Sequence, residues 1–138
     1  MDLRLIENEE KYYDFIRILR THQENTMGFL EQVEITSEQQ FRYMEKYQKN
    51  YLICVNESVI PVGWIGIVDN DIRLCVDPQF KGNGIGTFML SSFIKLYPNG
   101  EAKVLIGNKA SNKLFQSNGF KIYKHDEKFI YYKFIISE

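Results

Sequence analysis

The sequence has little of what ties small domains together covalently or through metal. It holds two cysteines and two histidines in 138 residues. Cys54 and Cys75 stand alone, with no Cys-x-x-Cys pair and no histidine beside them, so no disulfide framework or zinc site is written into the chain. Both read as reduced core thiols, and no metal is expected. The net charge is −1, with both signs scattered, which argues against a polyanionic partner such as nucleic acid. No apolar run reaches membrane-spanning length, and Met1-Asp2-Leu3-Arg4-Leu5 has no apolar signal core, so no membrane association and a cytoplasmic location are expected. Repeats, low-complexity tracts and linkers are also missing, which leaves one domain over residues 1–138. What is plentiful is core material. A hydrophobic content of 44% with 14% aromatics describes a packed globule.

Periodicity sets out the elements. Residues 2–6 alternate as a short strand. Tyr12, Phe15, Ile16 and Leu19 fall on one helical face between Glu9 and Arg20. Residues 21–35 have no clean period. A second helix starts near Thr36 or Ser37, where Thr36 and Gln39 can form a capping box. Strands over 51–55, 59–68 and 71–76 form an antiparallel meander, with Gly63 and Gly66 as places for a bulge or a close approach. A helix follows from Ile85, with Met89, Phe93 and Leu96 on one stripe and Leu90, Ile94 and Tyr97 beside it. Then come a strand over 102–106, a helix over 108–118 closed by Gly119, and strands over 120–123 and 129–135. The order is β-α-α-β-β-β-α-β-α-β-β. It describes an α/β (α+β) protein with a mixed, mostly antiparallel central sheet and helices on both faces.

The chain is organised around the run from Arg73 to Leu90, which is a strand, a glycine-rich loop and a helix start. Asp77-Pro78 ends the strand, because proline cannot donate to a ladder. Gly82, Gly84 and Gly86 then alternate through the loop. A helix start presents unpaired N–H groups and partial positive charge, and glycines let a phosphate approach them. The same glycines would also serve a tight connection with unusual dihedrals. No lysine follows Gly86, as a P-loop requires, and Thr87 stands where a dinucleotide fingerprint needs its third glycine.

Val76-Asp77-Pro78 followed by Lys81-Gly82-Asn83-Gly84-Ile85-Gly86 resembles the acyl-CoA-binding motif of the GNAT (GCN5-related N-acetyltransferase) superfamily. Lys81 stands where that family prefers arginine or glutamine; it keeps the charge and loses the planar fork. A second run, Asn108-Lys109-Ala110-Ser111-Asn112-Lys113-Leu114-Phe115-Gln116-Ser117-Asn118-Gly119-Phe120, resembles the family's later motif with every spacing kept. The resemblance implies the GNAT fold, in which the strands over 72–76 and 102–106 splay apart and pantetheine pairs with the first as an added strand. By the same resemblance acetyl-CoA is the acyl donor. It would be held by Leu74, Cys75 and Val76 on the strand, by Lys81, Gly82, Asn83, Gly84, Ile85, Gly86 and Thr87 in the loop and helix start, and by Asn108, Ser111 and Phe115.

The implied chemistry is direct transfer to an amine. A main-chain N–H near Val76 would polarise the thioester carbonyl. Cys75 lies close to that carbonyl, yet no base stands near it in sequence, so a packed thiol is the plainer reading. Many family members carry a tyrosine where this chain has Phe115, and phenylalanine cannot donate a proton. Three readings stay open: the thiolate leaves unaided, Ser111 or Asn108 hydrogen-bonds the sulfur, or Tyr131 or Tyr132 reaches in from the last strand. For the base, Asp71 is one candidate and His22 with Glu24 another; each could equally be a solvated surface residue. By the same resemblance residues 21–30 are the candidate acceptor loop, and they could equally be an ordinary surface connection with a few apolar anchors. The acceptor is expected to be a small-molecule amine such as an amino sugar. A protein N-terminus or lysine, or an idle acyl-CoA-binding module, is the alternative. A homodimer is possible, since the closing run 129–136 is apolar enough to pair with a partner, although it could equally be buried within one chain.

Overall fold

The structure, a computed structural model, describes residues 1–21 and 35–135. The acceptor-loop expectation beyond Thr21, with His22 and Glu24, lies outside these residues. The elements are β1 (Arg4–Glu7), α1 (Tyr13–Thr21), α2 (Ser37–Tyr47), β2 (Tyr51–Val55), β3 (Pro61–Val68), β4 (Asp71–Val76), α3 (Ile85–Phe93), β5 (Glu101–Leu105), α4 (Lys109–Ser117), β6 (Phe120–His125) and β7 (Phe129–Phe134). Their order is the one expected from the sequence.

Local chemistry fixes the ends. The Thr36 hydroxyl accepts from the Gln39 N–H at 3.1 Å, and the Gln39 side chain accepts from the Thr36 N–H at 2.9 Å, completing the capping box of α2. The first turn of the N-terminal helical segment is 3₁₀ (Glu10–Tyr12) rather than α. β3 starts at Pro61, not Val59, because Asn56 Oδ1 accepts from the N–H groups of Ser58 and Ile60 and bends the chain, with Val59 at φ 59°. Leu96 does not extend the buried stripe of α3. The helix ends at Phe93, Tyr97 N–H turns back to the Phe93 carbonyl at 3.1 Å, and Leu96 is left 61% exposed. Gly66 is a close approach: a Cβ there would stand 2.4 Å from the Tyr51 ring. The irregular register lies beside Gly63, between its pairing with Cys54 and the pairing of Pro61 with Val55.

The strands form one mixed sheet in the order β1-β2-β3-β4-β5-β7-β6, antiparallel throughout except for parallel β4 and β5. Alternation along the strands divides the core in two. One cluster, with Ile53, Trp64 and Cys75, packs with Tyr13, Ile16 and Leu19 of the first helix and Met44 of the second. The other, with Ile72, Ala102, Val104 and Tyr132, packs with Met89, Leu90 and Phe93 of α3 and Phe115 of α4. β7 lies between β5 and β6, so both of its edges are paired within the chain. The closing strand therefore cannot join a partner by its edge; the free edge on that side belongs to β6.

Candidate active site

β4 is hydrogen-bonded to β3 along its whole length, from Asp71 opposite Val68 to Val76 opposite Gly63. To β5 it is paired at one position, Asp71 with Glu101. Past that pair the two parallel strands diverge. Glu101 N–H donates to the Asn70 carbonyl at 2.9 Å, and the next β5 amide on that edge, Lys103 N–H, donates to Asp71 Oδ1 at 3.1 Å instead of to a β4 carbonyl. A carboxylate thus takes the place of the next backbone rung. The result is a notch with Asp71 at its apex and the carboxyl ends of β4 and β5 at its mouth. Crevices outside the carboxyl ends of parallel strands are where α/β sheets receive ligands.

Two helix N-termini flank the mouth, because each parallel strand runs on into a helix. After β4, the Asp77 side chain accepts from the Gln79 N–H and holds a short 3₁₀ turn, and Asn83 Nδ2 donates to the Phe80 carbonyl at 2.9 Å. Gly82 and Gly84 lie at φ 87° and 71°, with nothing within 4 Å of the position of a Cβ. Gly84 is the N-cap of α3 and has no side chain to occupy the first amides, those of Ile85, Gly86 and Thr87. Lys81 and Thr87 stand exposed beside them. Gly86 has a packing role: its missing side chain admits Leu114 of α4, whose Cδ2 would lie 3.3 Å from a Cβ. After β5, Asn108 Oδ1 accepts from the Ser111 N–H at 3.1 Å and caps α4.

The start of α4 is pinned from below. Asn112 Nδ2 donates to the carbonyls of Leu105, Ile106 and Asn108, and its Oδ1 accepts from the Tyr132 hydroxyl at 2.6 Å, which itself accepts from Gln116 Nε2 at 3.0 Å. The Tyr132 hydroxyl, fully buried, is committed to this network and is removed from the list of proton donors. Phe115 is 4% exposed, its ring against Phe120 and Tyr132 at 5.0 and 5.8 Å, so the core uses most of its surface. Leu74 and Val76 face the same side as α3 and α4 and are partly buried.

Cys75 faces the other way. Its thiol donates to the Leu19 carbonyl at 3.6 Å, and burial pushes it up to about 12. Such a thiol is not a nucleophile near neutral pH. Cys54 is likewise buried and pushed up to about 11.

On that same side, at the apex of the notch, is a cavity of about 310 Å³ lined by Val68, Asp69, Asn70, Asp71, Arg73, Glu101, Ala102, Lys103, Tyr123 and Tyr131. It brings together two of the residues singled out in the sequence, Asp71 and Tyr131. Ser111 lies on α4, across the sheet from them. Burial raises the Asp71 carboxyl above its ordinary range, against the pull of Arg73, whose Nη2 lies 3.1 Å from Asp71 Oδ2, and of the Lys103 N–H. Tyr123 is pushed up to about 12 by its hydrogen bond to Glu101, which holds that carboxyl down. The Tyr131 hydroxyl donates to Asp126 Oδ2 at 2.9 Å.

Sequence reasoning missed Arg73, Glu101, Lys103 and Tyr123. Tyr123 enters the cavity because the register slips between Ile122 and Lys124, which re-aims the extra residue. The adjacent apolar pair Ile122-Tyr123, breaking the period of two, was the available signal. Among the described residues no cluster of His, Cys, Asp and Glu is assembled that could hold a metal ion, and no helix is long and apolar enough to cross a membrane.

Known proteins share this architecture. The spermidine N-acetyltransferase of Vibrio cholerae, solved with CoA and spermine, has TM-score 0.83 at 14% identity, over 96% of this chain and 95% of that one. The yncA protein of Salmonella typhimurium, solved with its cofactor acetyl-CoA, has TM-score 0.81 at 16% identity, over 100% and 96%. A GNAT-family acetyltransferase of Bacillus anthracis has TM-score 0.81 at 12% identity, over 98% and 95%. At these identities the likeness is one of fold. Comparison with curated protein sequences gives no match. The family model described as acetyltransferase (GNAT) domain matches residues 47–122, more than half of the chain and the part that holds β4, the glycine loop, β5 and α4. The chain belongs to the acetyltransferase (GNAT) domain family.

Proposed function

We propose that the chain is an acetyl-CoA-dependent N-acetyltransferase that moves the acetyl group directly to the primary amine of a small molecule. The observation that carries this is the notch: parallel β4 and β5 joined at one residue pair, with two helix N-termini at the mouth and an ionisable cavity at the apex. The residues fit the donor. Gly82 and Gly84 have open space where side chains would otherwise stand, and the amides of Ile85, Gly86 and Thr87 suit a pyrophosphate, with Lys81 adding charge. Leu74 and Val76 lie on the strand that would receive pantetheine as an added strand, and Asn108 and Ser111 stand at the opposite wall. Acetyl-CoA, when bound, supplies an already activated thioester.

The chain's own work is then placement and proton removal. Holding amine and thioester together lowers the barrier by several kcal/mol, with an upper range of about 7–11. Asp71 is the proposed proton acceptor, directly or through water, since a carboxyl raised by burial is a better base than an exposed one. Asp69, Asp71 and Glu101 give the cavity carboxylates for a cationic amine. An amino sugar is the first acceptor to assay, and spermidine the second, because a protein of similar fold acts on it. An idle acyl-CoA-binding module is the competing reading, and one observation favours it: Phe115, buried and without a hydroxyl, offers the leaving thiolate no proton.

Titration calorimetry with acetyl-CoA tests the reading, beside a Gly84→Glu variant that places a carboxylate in the mouth. Binding by the wild type, lost in the variant, is expected, followed by amine-dependent release of CoA thiol. No binding by the wild type refutes the reading. Binding without thiol release for any amine leaves the idle module.

A further inference from the structure

We propose that Lys103 is a site of self-acetylation, its amine taking the acetyl group from acetyl-CoA held in the notch; the inference rests on the transferase reading above. Lys103 is two residues past Glu101, the last β5 residue paired with β4, so its backbone forms one arm of the notch about 7 Å beyond the apex. Ala102 and Val104 on either side are buried toward α3 and α4, which turns the Lys103 side chain to the opposite face, where the cavity opens. There its ammonium is not loose in solvent. Nζ rests 4.3 Å from the centroid of the Phe129 ring and 5.8 Å from that of Tyr131. Phe129 and Tyr131 belong to β7, on the side of β5 away from β4, so the ammonium rests on the far wall of the cavity that Lys103 lines and swings back over β5 to meet the thioester. Among the described residues it makes no salt bridge, so no carboxylate within 4.0 Å holds it away.

Other lysines use the same device, and Lys124 and Lys128 share the rings of Lys103, but none of them lines the cavity. Lys124 rests on Tyr131 at 4.7 Å and Lys133 on Tyr123 at 4.4 Å, but they belong to β6 and β7, one or two strands from the notch, at about 4.8 Å per strand. Lys103 is the lysine on the arm itself. In the reaction the lone pair of its deprotonated amine forms the Nζ–C bond while the C–S bond breaks. The sulfur leaves as the CoA thiolate, and the proton released on nitrogen passes to water. The product is a neutral amide. It loses the cation–π contacts with Phe129 and Tyr131 and stands in the acceptor cavity.

The test is incubation of the full chain with isotopically labelled acetyl-CoA and no acceptor, followed by peptide mass mapping. Label at Lys103 is expected to accumulate at least about tenfold faster than at Lys124 or Lys133, because the notch raises the local thioester concentration for one amine only. Excess unlabelled CoA, or the Gly84→Glu substitution, should remove that excess and leave the background at the other lysines. Equal labelling of the three, or an excess that survives both controls, overturns the proposal. Calorimetry on the same samples separates the two levels. A wild type that does not bind acetyl-CoA refutes both readings. One that binds it without favouring Lys103 refutes this one alone.

Discussion

Asp71 has two duties at the scale of a single residue. Its Oδ1 accepts the Lys103 N–H and so ends the β4–β5 ladder, while the raised carboxyl is the proposed base. The duties can be separated. In Asp71→Asn the amide oxygen still accepts from Lys103, but nothing titrates. We expect kcat/KM to fall about 10²-fold, and the rise of rate with pH that tracks Asp71 ionisation to disappear, with acetyl-CoA binding retained in calorimetry. The stability effect of Asp71 runs in the opposite sense to its activity. Its folded value is raised, so its contribution is fully present below the unfolded carboxylate range and is lost as pH rises through the folded value. Acid therefore favours the fold at this residue and alkali favours the reaction. Cys75 supplies a second residue-level prediction. Its thiol is 5% exposed and pushed up to about 12, so thiol-directed reagents should leave it unmodified in the native protein, as read by mass after brief exposure at neutral pH.

At the scale of elements, the start of α4 is held by its own Asn108 and Asn112 and from the sheet by the Tyr132 hydroxyl. Removing one hydroxyl, in Tyr132→Phe, leaves Asn112 Oδ1 without its donor in a buried site. The expected cost is about 1–3 kcal/mol of stability, measured by denaturant unfolding, together with weaker acetyl-CoA binding as the Asn108 cap shifts. Legibility follows the same division between local and distant causes. The capping box at Thr36 and Gln39 and the Gly119 terminus are settled by residues a few positions apart, and both are readable. Val59 was mistaken for strand because its conformation is dictated by the Asn56 side chain, a hydrogen-bond choice that periodicity does not record. Leu96 was placed on the α3 stripe because its spacing fits, yet the stripe outlives the helix by one turn. Gly86 keeps its proposed place at the ligand through its amide, and its bare Cα has a second use. Its contact with Leu114 depends on how two helices meet, which no window of sequence contains.

For the whole molecule, the two short motifs were enough to name the fold, and the order of elements followed from alternation and breakers. The order of strands in space did not. Nothing in the last run of sequence says that β7 enters between β5 and β6, so its pattern leaves pairing with a partner and pairing within the chain equally open, and the structure has the second. The apex cavity was also out of reach, because Asp71, Glu101, Tyr123 and Tyr131 come from four strands. Acetyl-CoA bound across the notch would join both arms, so ligand at about a hundred times its Kd should add about 2.7 kcal/mol to stability, seen as a rise in Tm. Hydrogen exchange should slow chiefly along β4 and β5. A continuous seven-stranded sheet resists shear because each rung of a ladder must yield with its neighbours. In this one the β4–β5 ladder has only the Asp71–Glu101 rung and the Lys103-to-Asp71 side-chain tie, so the two strands can part beyond it without breaking any other strand pairing. Backbone ties between strands are fewest along one line, and that line is the one a long, thin guest would follow on its way in.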